Sequence, residues 1–155
     1  MKMLSKKAKY GLRALLALAR RRAQEPVLIA ELAAQEGIPR KFLEMILLEL
    51  RNAGILQSQK GKGGGYWLGR APETIGLGEV IRALDGPMAP LPCVSHLAYR
   101  KCEECDDEAT CGIRAVMQEV REATASVLDR ESLADVLRRT ERLQQEKSRV
   151  LVYSI

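Results

Sequence analysis

The chain has 155 residues, 46% of them hydrophobic and 29% charged, a balance that builds one compact unit with at most one appended element and excludes a disordered chain. Aromatic residues reach only 4%, so Leu, Ile, Val and Ala must fill the core, and a mainly α fold is expected over an aromatic-rich β-sandwich. The net charge of +5 divides unevenly: residues 1–70 hold 14 Lys and Arg against five Glu, a net +9, and residues 71–155 hold 11 against 15 acidic residues, a net −4. A basic half joined to an acidic half points to a polyanion-binding module attached to something else.

Lys6, Lys7 and Lys9 precede an apolar stretch from Leu12 to Ala19, which Arg13 interrupts and Arg20, Arg21 and Arg22 close. A secretion signal would instead follow its apolar stretch with small residues and a cleavage site. No apolar run approaches the ~20 residues of a membrane span, so a cytoplasmic protein with no membrane partner is expected. Leu4, Ala8, Leu12, Leu15, Leu16 and Ala19 recur at the spacing of an amphipathic first helix, and Pro26 ends that region. A short second helix is expected from about Leu28 to Glu36, stopped by Gly37, with Pro39 in the first turn of a third. The third helix carries Phe42, Leu43, Ile46, Leu47 and Leu50, and Gly54 closes it. Two β-prone stretches, Ile55 to Lys60 and Tyr66 to Leu68, flank the glycine string Gly61 to Gly65 and predict a hairpin. A fourth helix is expected from Leu77 to Leu84, stopped by Gly86 and Pro87.

Pro87, Pro90 and Pro92 make the next stretch irregular, and it holds all four cysteines: Cys93, Cys102, Cys105 and Cys111. Beyond it, Ile113, Val116, Met117, Val120, Thr124, Val127 and Leu128 form one stripe of a helix of roughly five turns. Ser132 with Asp135 is an N-cap signature for a last helix through about Lys147, and the tail Val150 to Tyr153 is apolar and β-prone. These signals predict a winged helix-turn-helix DNA-binding domain over 1–86, a cysteine-rich metal or cluster loop over 87–111, and a dimerisation helix with a C-terminal helix over 112–155.

Ala33 lets two helices approach closely and Gly37 makes the sharp turn of a helix-turn-helix. The third helix would enter the major groove, where Arg40 and Lys41 offer donors to phosphate or guanine and Glu44 an acceptor for a cytosine amino group. Lys60 and Lys62 flank backbone bare of side chains at Gly63 and Gly64, a wing that suits the minor groove. Lys6, Lys7 and Tyr66 complete the candidate contacts to double-stranded DNA. A phosphate-binding loop is disfavoured, because the glycine string lacks the Lys-Ser/Thr ending and the strand-to-helix setting. Catalysis is disfavoured as well: the single histidine, His96, has no fixed nucleophile partner, and Cys102-x-x-Cys105 lacks the βαβ setting of a thioredoxin-type site.

Tyr10-Gly11-Leu12-Arg13-Ala14-Leu15, Phe42-Leu43-Glu44 and the run Lys60 to Leu68 resemble the Rrf2 family of bacterial winged-helix regulators. Its members include an iron–sulfur-cluster regulator, a nitric-oxide sensor and a repressor of cysteine metabolism. The resemblance implies a homodimer on a palindromic operator, with Glu44 taking part in base discrimination. It also bears on the cysteines, whose spacing by itself suits zinc, an iron–sulfur cluster or reversible disulfides equally. In several relatives three cysteines of this loop and a fourth ligand hold a cluster. The cluster regulator's fourth ligand, a histidine, falls here on Arg114, and the aspartate that the nitric-oxide sensor takes from its first helix falls on Lys9. The fourth cysteine therefore stands in for the missing ligand, and the expected site is Cys93, Cys102, Cys105 and Cys111 around a 2Fe-2S or 4Fe-4S cluster, with His96 as spare ligand. The alternatives are structural zinc, a thiol–disulfide switch, and control by a docked metabolic enzyme.

Overall fold

A computed structural model describes residues 4–153. Among them are six α-helices and one two-stranded hairpin, in the order α1 (Lys6–Ala19), α2 (Ile29–Glu36), α3 (Arg40–Asn52), β1 (Leu56–Gln59), β2 (Gly65–Leu68), α4 (Leu77–Asp85), α5 (Gly112–Arg130) and α6 (Leu133–Tyr153). The mainly α winged helix-turn-helix predicted from the sequence is the fold observed. None of the helices described is long and apolar enough to cross a membrane.

The core forms where the apolar stripes of α1 to α4 meet. Ala8, Ala14, Leu15, Leu43, Ile46, Leu47 and Leu50 are fully buried there, joined by Ile55, Ile75 and Val80. Each such aliphatic side chain contributes about 1.5–3 kcal/mol of transfer free energy. Gly11 explains how α1 and α4 come so close, since a Cβ there would collide with the Leu84 side chain and press on Ile46. Tyr10 meets Phe42 edge-on at 5.6 Å between ring centroids and fixes α1 against α3.

The turn from α2 to α3 follows the local chemistry. Gly37 takes φ 61°, and both its N–H and that of Ile38 reach the Ala33 carbonyl, which ends α2 in a tight left-handed cap. Pro39 sits one residue earlier than expected, at the N-cap of α3, where its carbonyl accepts from the Leu43 N–H at 2.9 Å. An extended ψ of 125° explains the shift: Pro39 keeps its preset φ but has not yet entered the helix.

β1 and β2 pair antiparallel with Leu56 opposite Leu68 and Gln59 opposite Gly65. Val27 adds a bridge to Tyr66, exchanging two backbone hydrogen bonds of 2.9 Å, so the wing's base is tied to the segment before α2.

The C-terminal helices behave differently from each other. Among the described residues, α5 has no buried side chain over its 19 residues. The start of α6, by contrast, returns to the N-terminal core: Leu133 is fully buried there, Gly76 bridges Ser132, and the Leu77 and Leu133 N–H groups bond the Glu131 and Ile75 carbonyls. Ser132 and Asp135 form the predicted cap, with Asp135 N–H donating to the Ser132 hydroxyl at 3.1 Å and Ser132 N–H to the Asp135 carboxylate at 2.9 Å. The β-prone reading of Val150 to Tyr153 is corrected, because α6 continues through Tyr153. Extending an existing helix needs no new nucleus, so a few β-branched residues cost too little to end it.

Candidate DNA-binding surface and cysteine loop

The α3 residues that do not enter the core form one exposed face. Arg40 and Glu44 pair across one turn at 3.2 Å, both largely in solvent, and Lys41 stands exposed beside them. Such an exposed pair contributes at most about 1 kcal/mol, so it releases either member readily to a better partner. Met45 and Leu48 are also exposed on this helix, 58% and 44%. Sequence reading passed over both, although they lie off the stripe of Leu43, Ile46, Leu47 and Leu50, and that offset was a usable signal.

The first helix brings further cations to the same domain. Its hydroxyl-capped start leaves Lys6 5.9 Å from the Tyr10 ring centroid, while Lys7 reaches the Glu49 carboxylate of α3 at 3.0 Å. Lys7 thus spends part of its charge within the fold, unlike Lys6. In the wing, Lys60 and Lys62 are exposed and Gly63 has φ 76° with open space around it. Gly64 packs so tightly that a Cβ would collide with the Gln59 carbonyl. Tyr66 is half-buried against the core, and its backbone carries the bridge to Val27.

The cysteine loop runs from α4 to α5. Cys93 is buried in a short 3-10 turn, Cys102 is exposed, and Cys105 and Cys111 are half-buried. Cys111 is the N-cap of α5, where its sulfur accepts from the Arg114 N–H at 3.5 Å. That backbone bond draws the Cys111 thiol below its ordinary pKa, while partial burial pushes Cys105 up. Cys105 and Cys111 are close enough to influence each other, Cys111 adding to the rise at Cys105 and Cys105 to the fall at Cys111. Tyr99 donates to the Glu108 carboxylate at 2.8 Å, and that bond raises the Tyr99 pKa.

The four cysteines expected as ligands lie along one loop, at differing depths. Among the described residues no three Cys, His, Asp or Glu side chains stand together in ligating geometry. The donor chemistry suits a soft metal centre, with Cys102 exposed and Cys93 buried in its own turn. His96 is exposed and lines a cavity of about 230 Å³ with Arg82 and Arg121, on the side of α5 that carries Ala125 and Asp129.

The α5 stripe divides in two. Val120, Thr124 and Leu128 face a cleft of about 310 Å³ shared with Leu4, Ile81 and the segment Gly86 to Pro90. Ile113, Val116 and Val127 point outward, each at least half exposed.

Comparison with known proteins agrees with this architecture. The profile of the Rrf2 family, described as an iron-dependent transcriptional regulator, matches residues 4–139. An rrf2-like transcriptional regulator of Rhodobacter capsulatus is 46% identical over 87% of this chain and 92% of its own length. The transcriptional regulator IscR of Aliivibrio salmonicida is 31% identical over 86% of this chain and 76% of its own. Among solved structures, CymR, the global cysteine regulator of B. subtilis, superposes with a TM-score of 0.71 at 32% identity, covering 88% of this chain and 96% of that one. T. potens IscR gives 0.70 at 30% identity, covering 93% and 91%.

Proposed function

The chain belongs to the Rrf2 family of transcriptional regulators, and from that premise we propose that it binds a palindromic operator as a cytoplasmic homodimer. The observation that carries this reading is an exposed α3 face of Arg40, Lys41 and Glu44 beside a wing of Lys60, Lys62, Gly63 and Gly64. In the bound state α3 lies in the major groove and the wing in the minor groove, with Lys6, Lys7 and Tyr66 supporting the contacts. Arg40 and Lys41 hold phosphate or guanine; Glu44, released from Arg40, accepts from a cytosine amino group. The dimer is supported by α5, whose outward Ile113, Val116 and Val127 leave apolar surface that a second copy would cover.

The reading extends to the loop over 87–111 as the sensor. Cys93, Cys102, Cys105 and Cys111 are the residues for an iron–sulfur cluster, 2Fe-2S or 4Fe-4S, supported by their number, their softness and the C-x2-C pair. Zinc is the alternative centre for the same thiols. Holding either requires the loop to draw the four sulfurs around one centre. A thiol–disulfide switch is the second reading, favoured by the mutual influence of the neighbouring Cys105 and Cys111 thiols.

Two measurements test the proposal. Operator selection followed by titration should give a two-fold symmetric consensus bound by a dimer, and Glu44→Ala should change the preferred bases. An unaltered preference removes Glu44 from base reading. For the loop, protein purified without oxygen is assayed for iron, sulfide and zinc beside its absorption spectrum. Visible charge-transfer bands support the cluster, stoichiometric zinc in a colourless protein assigns a structural metal, and a metal-free protein whose thiols oxidise reversibly assigns the switch. Full cluster retention in Cys105→Ala would exclude Cys105 as a ligand and direct attention to His96.

A further inference from the structure

Met45 and Leu48 break the pattern that the rest of α3 obeys. The apolar residues Leu43, Ile46, Leu47 and Leu50 are fully buried, whereas Met45 and Leu48 stand 58% and 44% exposed on the outer side. At helical spacing Met45 lies one turn beyond Lys41 and directly after Glu44, and Leu48 lies one turn beyond both. Apolar surface in water gains free energy only when a partner covers it.

Charge decides which partner fits. An apolar protein surface on this face would strip water from Arg40 and Lys41 without pairing them, which is costly. A nucleic acid pairs those cations through its phosphates and guanines. It also presents one apolar group in the major groove, the C5-methyl of thymine. Resting on the DNA-binding reading above, we propose that Met45 reads a thymine methyl in each operator half-site, with Leu48 closing the apolar contact. Glu44 and Met45 then select adjacent positions by opposite chemistry: a carboxylate for the cytosine amino group, a thioether and methyl for thymine.

The test uses the full-length protein and an operator obtained by selection. Each thymine within a half-site is replaced in turn by uracil, which keeps every hydrogen-bonding group and lacks only the methyl. One replacement should weaken binding about fourfold, the equivalent of one buried methyl group, and replacement in both half-sites roughly sixteenfold. Met45→Ala, an exposed change that leaves the core intact, should bind thymine and uracil operators alike. Uracil operators bound as tightly as thymine ones overturn the assignment, as does a Met45→Ala protein that keeps the full uracil effect, or a consensus without thymine. Failure to select any consensus strikes instead at the DNA-binding reading on which this inference rests.

Discussion

Gly65 offers a sharp test of how the wing is built. It stands at φ 147°, and a Cβ there would meet the Val27 backbone at 2.5 Å from the carbonyl oxygen and 2.8 Å from the nitrogen. Neither atom belongs to a side chain that could turn aside. Gly65→Ala therefore costs about 1–3 kcal/mol for a side chain in that backbone region. Pushing Val27 away also breaks both hydrogen bonds of the Val27–Tyr66 bridge, at about 1 kcal/mol each. The sum, roughly 3–5 kcal/mol, is a large part of the 5–15 kcal/mol that typically holds a domain folded. A chain of this length loses about 2–4 °C of melting temperature per kcal/mol, so a fall of roughly 10 °C is expected by circular dichroism. Gly63→Ala is the control: its φ of 76° is also positive, yet nothing lies within 4 Å of the added Cβ, and only about 1 kcal/mol is at stake. Equal losses from the two substitutions, or a Gly65→Ala protein that melts with the unaltered chain, refute the argument from the bridge.

Replacing Lys60 and Lys62 together by alanine should weaken binding to all DNA sequences and, with two wings per dimer, lower the slope of log affinity against log salt by about 4, read by anisotropy titration; an unchanged slope removes the wing lysines from phosphate contact. Gly11→Ala should cost about 1–3 kcal/mol through overpacking against Leu84, and adding Leu84→Ala should recover part of that loss; simple additivity in urea unfolding would contradict the contact. The Asp135 carboxyl is held down to about 2, from the ordinary 3.8, first by the Ser132 hydroxyl and then by the Ser132 N–H. A depressed carboxylate stabilises the fold above its unfolded pKa and loses that contribution as pH falls from about 4 to about 2. The urea midpoints of native and Asp135→Ala proteins should therefore differ at neutral pH and converge near pH 2, and a constant offset would show that the cap does not titrate.

What could be read from the amino acids alone was what neighbours in sequence decide. Gly37 after a short apolar pattern, the third-helix stripe, the glycine string between two β-prone stretches and Ser132 with Asp135 each act within a few residues through backbone geometry or a local hydrogen bond. All four appear in the structure close to where they were expected. The resemblance to a known family added the regulatory role, which no local signal contains. Tertiary structure decided the rest, because it depends on which faces meet. The α5 stripe looked continuous, yet Val120, Thr124 and Leu128 line a cleft shared with Ile81 and the segment Gly86 to Pro90, whereas Ile113, Val116 and Val127 point outward. Leu133 looked like part of a C-terminal unit, yet it completes the N-terminal core through the backbone bonds that join Gly76 and Leu77 to the segment before α6. Spacing could count four thiols but could not say that Cys93 would be buried, Cys102 exposed, and Cys105 and Cys111 half-buried. A proline-punctuated loop carries no period, so the positions of its side chains follow from the helices that hold its ends.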